Sequence, residues 1–194
     1  MELKEILSGI ENLKAKGNVN IQIRNIQTDS RQVQQGDLFV AIKGFEVDGH
    51  KYVKDALEKG TSAILVNDES VSEIAQYLQE TGTMEKVTVI ACPDTRVAVA
   101  KCACNFYDNP SRKFKLVGIT GTKGKTTTSF MVKQLLEKQG MKVGLIGTIA
   151  VYIADKKIED SDRTTPDSVK LQSIFAQMAN EKCDVVVMEV SSQS

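Results

Sequence analysis

Residues 118–130 read GITGTKGKTTTSF, and their side chains are those that grip phosphate. A glycine-bearing turn that runs from a strand into a helix aims several backbone N–H groups, and the positive end of the helix dipole, at one point, which makes an anion site. Lys125 adds a positive charge for the β/γ-phosphates of a nucleotide, and the Thr126 hydroxyl suits Mg²⁺. Gly121 and Gly124 let the backbone approach where a side chain would collide. The spacing departs from the usual template, which places a glycine five residues ahead of Gly-Lys-Thr. Ile119 stands there, and the nearest glycines are Gly118 and Gly121.

A second half for such a site is offered by DVVVMEV, residues 184–190. An apolar parallel strand ending in an acid delivers a carboxylate to the carboxyl edge of its sheet, where the phosphate loop also lies, so Glu189 is a candidate to hold the metal opposite Thr126. Without the loop, the same acid would read as a solvated or helix-capping group. The stretch DRTTPDS, residues 162–168, carries two readings of equal weight. Thr165 or Asp167 caps the following helix with Pro166 near its first turn, or the loop presents hydroxyls and the Arg163 guanidinium to an anionic ligand. In TDSR, residues 28–31, Asp29 and Ser30 are turn formers. His50 reads as a helix-start residue rather than a general base, and Ser191 and Ser192 have no evident histidine partner.

These groups need elements to hold them. NIQIRNIQ, GDLFVAI, SAILVN and KVTVIAC suit strands, and HKYVKDALEKG, SVSEIAQYLQETG and TRVAVAKCACNFYDN suit helices, two of them closed by glycine. YDNPSRKF concentrates turn formers and charge, which places a domain boundary near Ser111 and divides the chain into residues 1–111 and 112–194. Beyond it come strand FKLVGIT, the phosphate loop, a helix to Gly140, strand KVGLIGT, a polar excursion to residue 167, helix SVKLQSIFAQMANEK and strand DVVVMEV. The expectation is α/β throughout: a small amino-terminal α/β domain, then a P-loop domain with a parallel, doubly wound sheet. The second domain is short for a sheet covered on both faces, so a truncated domain of a longer protein is expected.

The 25 basic and 25 acidic residues balance, and 41% of the chain is hydrophobic. That argues against a nucleic-acid partner or a disordered acidic tail. The start MELKEILSGIENLKAKG lacks the apolar core of a secretory signal, and no stretch approaches spanning length, so a cytoplasmic protein without membrane insertion is expected. Cys92, Cys102, Cys104 and Cys183 show no C-x-x-C spacing, which supports neither zinc nor redox chemistry and predicts reduced, mostly buried thiols.

Taken together, several segments resemble one family, the ATP-dependent Mur ligases of peptidoglycan synthesis. GITGTKGKTTT is similar to that family's own phosphate loop, which departs from the strict spacing, with Lys123 where asparagine is common. TDSRQVQQGDLFVAIKGFEVDGHKYV resembles its amino-terminal UDP-binding signature, and RTTPDS and MEVSSQS resemble the branch that adds the third amino acid of the peptide. The resemblance covers nearly the whole chain. It implies that Thr28 and Ser30 contact the uridine diphosphate part, that Phe45, Glu46 and Val47 line the uracil pocket, and that Gly121, Thr122, Lys123, Gly124, Lys125, Thr126 and Thr127 wrap the ATP phosphates. It further implies Thr126 and Glu189 on Mg²⁺, and Arg163, Thr164, Thr165 and Ser191 on the muramoyl-dipeptide end. Gln193 stands where many members have histidine, and Arg163 where some have asparagine.

The chemistry that the resemblance implies takes a UDP-N-acetylmuramoyl-dipeptide, ATP and a diamino acid as substrates. The γ-phosphate activates the D-glutamate carboxylate as an acyl phosphate, and the incoming amine displaces phosphate to form the amide. Lys125, as the catalytic residue, would offset charge on the transferring phosphoryl group with the loop amides and the metal. The family's carbamylated lysine and its amino-acid-binding domain would lie beyond Ser194, so this chain, expected to be a monomer, should bind substrate without turning over. A P-loop switch without ligase chemistry, or a phosphotransferase acting on a small metabolite, are the rival readings of the same loop.

Overall fold

A computed structural model describes residues 1–44 and 47–192. The chain forms two compact units, Met1–Phe106 and Tyr107–Ser194. Each is an α/β layer structure around one five-stranded mixed sheet.

The first unit runs α1 (Leu3–Ile6), β1 (Lys14–Lys16), β2 (Ile26–Gln27), β3 (Leu38–Val40), α2 (Val53–Glu58), β4 (Ala63–Asn67), α3 (Val71–Glu80), β5 (Thr88–Cys92) and α4 (Thr95–Phe106). Its strand order is β1-β5-β4-β3-β2, parallel from β2 to β5. Both faces of the central strands are covered, which is why GDLFVAI and SAILVN read as apolar runs rather than alternating ones. Phe39, Ile64, Val66 and Val89 pack on the side of α2 and α3 with Ala56, Ile74 and Leu78, while Leu38, Leu65 and Ile90 on the other side are equally buried.

Two parts of this unit depart from the sequence reading. Lys14–Lys16, in the starting stretch MELKEILSGIENLKAKG to which the sequence reading gave no strand, is an exposed strand that pairs antiparallel with β5 and closes that edge of the sheet. NIQIRNIQ, for all its alternation, contributes only Ile26–Gln27 to the ladder. Its earlier residues spend their backbone groups elsewhere: Ile23 N–H donates to the Met1 carbonyl and Arg24 N–H to that of Gly36. Asp37 holds the entry to β3, since its buried carboxylate accepts from Arg24 Nε at 3.0 Å, Arg24 Nη2 at 3.3 Å and Gln34 N–H at 3.0 Å.

The second unit runs β6 (Lys115–Ile119), α5 (Lys125–Lys138), β7 (Val143–Ile146), β8 (Ala150–Ile153), β9 (Lys156–Asp160), α6 (Ser168–Asn180) and β10 (Val185–Glu189). The order is β6-β10-β7-β8-β9, with β6, β10 and β7 parallel and β8 and β9 antiparallel. The sheet is therefore mixed where a parallel one was expected. The polar excursion after β7 is a hairpin whose outer strand is largely solvated, so its residues lack the apolar run that marked the inner strands. Asp167, not Thr165, caps α6 by accepting from Lys170 N–H at 3.0 Å, and Pro166 precedes the cap.

Alternation along β10 decides what reaches the site. Val185 and Val187 pack with Val143, Leu145, Phe130 and Leu136 on the α5 side, whereas Val186 and Met188 pack with Ile174, Phe175 and Met178 on the α6 side. Two residues beyond Val187, Glu189 points to the α5 side as well. Among the described residues, no helix is long and apolar enough to cross a membrane.

Candidate functional site

At the carboxyl edge of the second sheet, β6 ends in the loop 120–124 and α5 begins at Lys125. Gly124 is the residue ahead of the helix, and its φ of +79° lies in the left-handed region that glycine adopts without strain. A Cβ there would meet nothing within 4 Å, so the backbone conformation rather than crowding asks for glycine. Gly121, Thr122, Lys123 and Gly124 are exposed, and the N–H groups of the first turn of α5 open on the same side. Lys125 folds back so that its Nζ donates to the Gly121 carbonyl at 2.8 Å, a neutral partner that an anion can replace.

Glu189 lies beside this loop because β10 is the immediate neighbour of β6, with Glu189 in register with Ile119. Its side chain is fully buried, and among the described residues every group hydrogen-bonded to its carboxylate is a donor. Thr126 Oγ1 donates to Oε2 at 2.9 Å, Thr148 Oγ1 to Oε2 at 3.1 Å, and Thr148 N–H to Oε1 at 3.1 Å. Among the described residues no cation pairs with it within 4.0 Å. Gly147 makes the room: a Cβ at that position would stand 2.2 Å from Glu189 Oε1.

The loop 161–167 is stitched to the same place. Thr165 Oγ1 donates to the Glu189 carbonyl at 3.0 Å and accepts from Ser191 N–H at 3.0 Å. Thr164 Oγ1 lies 3.1 Å from Thr148 Oγ1. Arg163 is exposed, and the described residues give it no ion-pair partner. Of the residues singled out in this half, the structure thus brings together Thr126, Glu189, Thr164, Thr165 and Ser191. Gly147 and Thr148 were missed. Their only signal was a Gly-Thr pair directly after an apolar strand, and its meaning depends on β7 lying next to β10.

A hydroxyl and a carboxylate are hard oxygen donors, and no cluster of three or more His, Cys, Asp or Glu side chains is found among the described residues. Such a set fits Mg²⁺, which keeps several waters and takes one or two protein oxygens beside substrate phosphates, and it does not fit zinc.

In the first unit, the carboxyl ends of the parallel strands gather Thr28, Asp29 and Ser30 after β2 and the turn after β3. Asp29 accepts from Arg31 N–H at 2.9 Å, and hydrogen bonding from the Arg31 guanidinium holds its carboxyl below the usual range. Ser30 is buried, and its carbonyl accepts from Lys59 Nζ at 2.9 Å. Val47 is 52% exposed. Phe45, Glu46 and Gln193 lie outside the described residues.

His50 is a brace. Its Nε2 accepts from Asn67 N–H at 3.0 Å, so the ring proton sits on Nδ1 and is donated to Asp48 Oδ1 at 2.6 Å. Bonds from the His50 backbone and ring lower the Asp48 pKa. With both nitrogens engaged, the ring has no free position for general-base work.

Comparison with known proteins identifies the family. A model of the Mur ligase middle domain matches residues 119–194, and a model described as Mur ligase family, catalytic domain, matches residues 22–107. The chain is 47% identical over all 194 residues to the UDP-N-acetylmuramoyl-L-alanyl-D-glutamate--2,6-diaminopimelate ligase of Clostridium botulinum and 43% identical to that of Clostridium perfringens. It spans 38% of the length of each of these relatives. A solved structure of a ligase of the same name superposes over the whole chain and 36% of its own, with a TM-score of 0.69 at 23% identity, a likeness of fold. With both units matched by models of this one family, and with the phosphate loop and Glu189 assembled at one sheet edge, the chain belongs to the Mur ligase family.

Proposed function

We propose that this chain supplies the UDP-sugar-binding and ATP-phosphate-binding parts of a ligase that adds a diamino acid to UDP-N-acetylmuramoyl-L-alanyl-D-glutamate, a step of peptidoglycan synthesis in the cytoplasm. The names of the relatives favour diaminopimelate as that amino acid. One observation carries the reading: a buried carboxylate, Glu189, hydrogen-bonded to the first-turn hydroxyl of the phosphate-loop helix, Thr126, at 2.9 Å. That pairing is what a metal–nucleotide site needs, and a structural turn does not.

In this reading, Gly121 to Thr127 wrap the phosphates and Lys125 exchanges the Gly121 carbonyl for a phosphate oxygen. Thr126 and Glu189 hold Mg²⁺, which, when bound, offsets charge on the phosphoryl group. The 161–167 loop and Ser191 face the dipeptide, while Thr28, Ser30, Phe45, Glu46 and Val47 take the uridine diphosphate. Holding the D-glutamate carboxylate in line with the γ-phosphorus lets its oxygen attack, with ADP leaving. The amine then attacks the acyl carbon, loses a proton and expels phosphate.

Calorimetric titration tests the proposal. Both Mg²⁺·ATP and UDP-N-acetylmuramoyl-L-alanyl-D-glutamate should bind the 194-residue chain, and no amide should form when diaminopimelate is added. Binding of ATP without binding of the UDP-sugar would leave a P-loop switch or phosphotransferase and overturn the ligase reading. Full turnover by this chain alone would overturn the division of labour.

A further inference from the structure

We infer that Thr148 is a positioning residue that sets the Glu189 carboxylate for the metal and fixes which way the hydroxyl of Thr164 points. The inference rests on the metal–nucleotide reading above and goes beyond it, because Thr148 belongs to neither the phosphate loop nor the 161–167 loop.

Proton counting gives the polarity. A carboxylate only accepts, so the single hydroxyl proton of Thr148 is spent on Glu189 Oε2, 3.1 Å away. Thr148 Oγ1 also lies 3.1 Å from Thr164 Oγ1, and with its own proton committed it must accept there. The chain of donation runs from Thr164 to Thr148 to Glu189. The backbone N–H of Thr148 completes the grip on the other carboxylate oxygen, Oε1, at 3.1 Å. One residue therefore touches both oxygens of Glu189 and one side chain of the 161–167 loop.

Two consequences follow. Glu189 is held by a pincer that leaves Thr126 as its one partner from the phosphate-loop helix. The exposed side of the Thr164 hydroxyl then offers lone pairs only, and the Thr165 proton is already given to the Glu189 carbonyl. These threonines are set to receive an N–H or O–H from substrate rather than to donate to a carboxylate or phosphate. The anionic part of the ligand falls to the exposed Arg163.

The test compares Thr148→Val, which keeps the shape and the backbone N–H but removes the hydroxyl, with Thr148→Ser, which keeps the hydroxyl. A non-hydrolysable ATP analogue is titrated into each chain with Mg²⁺ and again with EDTA, and circular dichroism checks folding. Thr148→Val should lose about ten-fold or more of the enhancement that Mg²⁺ gives to analogue affinity, the size expected for one hydrogen bond to a charged group. Its affinity in EDTA should be unchanged, and Thr148→Ser should restore the enhancement. An undiminished enhancement in Thr148→Val would overturn the inference while leaving the proposed function standing. So would an equal loss with and without Mg²⁺, or a failure of serine to rescue. Absence of any Mg²⁺ enhancement in the unsubstituted chain would instead overturn the metal–nucleotide reading, and this inference with it.

Discussion

Gly147→Ala puts the geometry around Glu189 under the most direct stress. The added methyl would stand 2.2 Å from Oε1 and 3.0 Å from Cδ of Glu189. An ordinary C···O contact is roughly 3.3 Å or longer, so the carboxylate must retreat by about 1 Å. It has nowhere wet to go, being fully buried, and a shift of that size breaks at least one of the hydrogen bonds it accepts from Thr126 and Thr148. One bond to a charged acceptor is worth about 1.5–3 kcal/mol, and overpacking adds about 1–3 kcal/mol. The sum is about 2.5–6 kcal/mol, which at about 4–8 °C per kcal/mol for a unit of this size lowers the midpoint of its thermal transition by about 10 °C or more. Differential scanning calorimetry reads the transition, and titration of the ATP analogue with and without Mg²⁺ reads the site. A midpoint indistinguishable from that of the unsubstituted chain, with Mg²⁺ dependence intact, would refute the claim that position 147 is kept open for Glu189.

Other substitutions probe single roles. Glu189→Gln keeps the volume: the amide oxygen can take the Thr148 N–H, and the two threonine hydroxyls can rotate to accept from the NH₂. Denaturation should therefore shift by about 1 kcal/mol or less while Mg²⁺ enhancement of nucleotide affinity disappears, and retained enhancement would exclude Glu189 from the metal. Lys125→Met removes a charge whose only bond among the described residues is to the Gly121 carbonyl, so stability should stay within about 0.5 kcal/mol while ATP affinity falls about ten-fold or more. Unchanged affinity in a calorimetric titration would remove Lys125 from the phosphates. Burial pushes the Cys102 thiol from 9.0 up to about 12, so in the unfolded chain it loses its proton first, and stability should fall as pH rises from about 9 to about 12. In the native chain at pH 8, alkylation followed by mass spectrometry should label the half-exposed Cys104 ahead of buried Cys92, Cys102 and Cys183, and early labelling of Cys102 would contradict its burial.

Much of the site was legible without coordinates because it is local. Gly121 and Gly124 lie in the turn after a strand and Lys125 and Thr126 in the first turn of the helix that follows, and the anion site proposed for them needs only that strand and helix to form. The apolar runs at Ala63–Asn67 and Val185–Glu189 announced strands buried on both faces, since only that environment tolerates successive large aliphatic residues. The edges were harder to see. Lys14–Lys16 and Lys156–Asp160 pair on one side and face solvent, so no apolar pattern marked them, and the alternation of NIQIRNIQ said nothing about whether a partner strand would lie alongside.

Tertiary structure decided which residues meet. Thr126 and Glu189 are 63 positions apart, and Thr148 and Glu189 are 41 apart. They converge because β10 inserts between β6 and β7, an order that no local propensity encodes. The period of two along β10 then turns Glu189 toward α5, and the missing side chain at Gly147 lets it fit. Sequence alone pointed to the proposed phosphate loop, because its residues lie in one contiguous stretch. Strand order brings a carboxylate 63 residues away beside that stretch, and sets Thr148 between that carboxylate and the 161–167 loop.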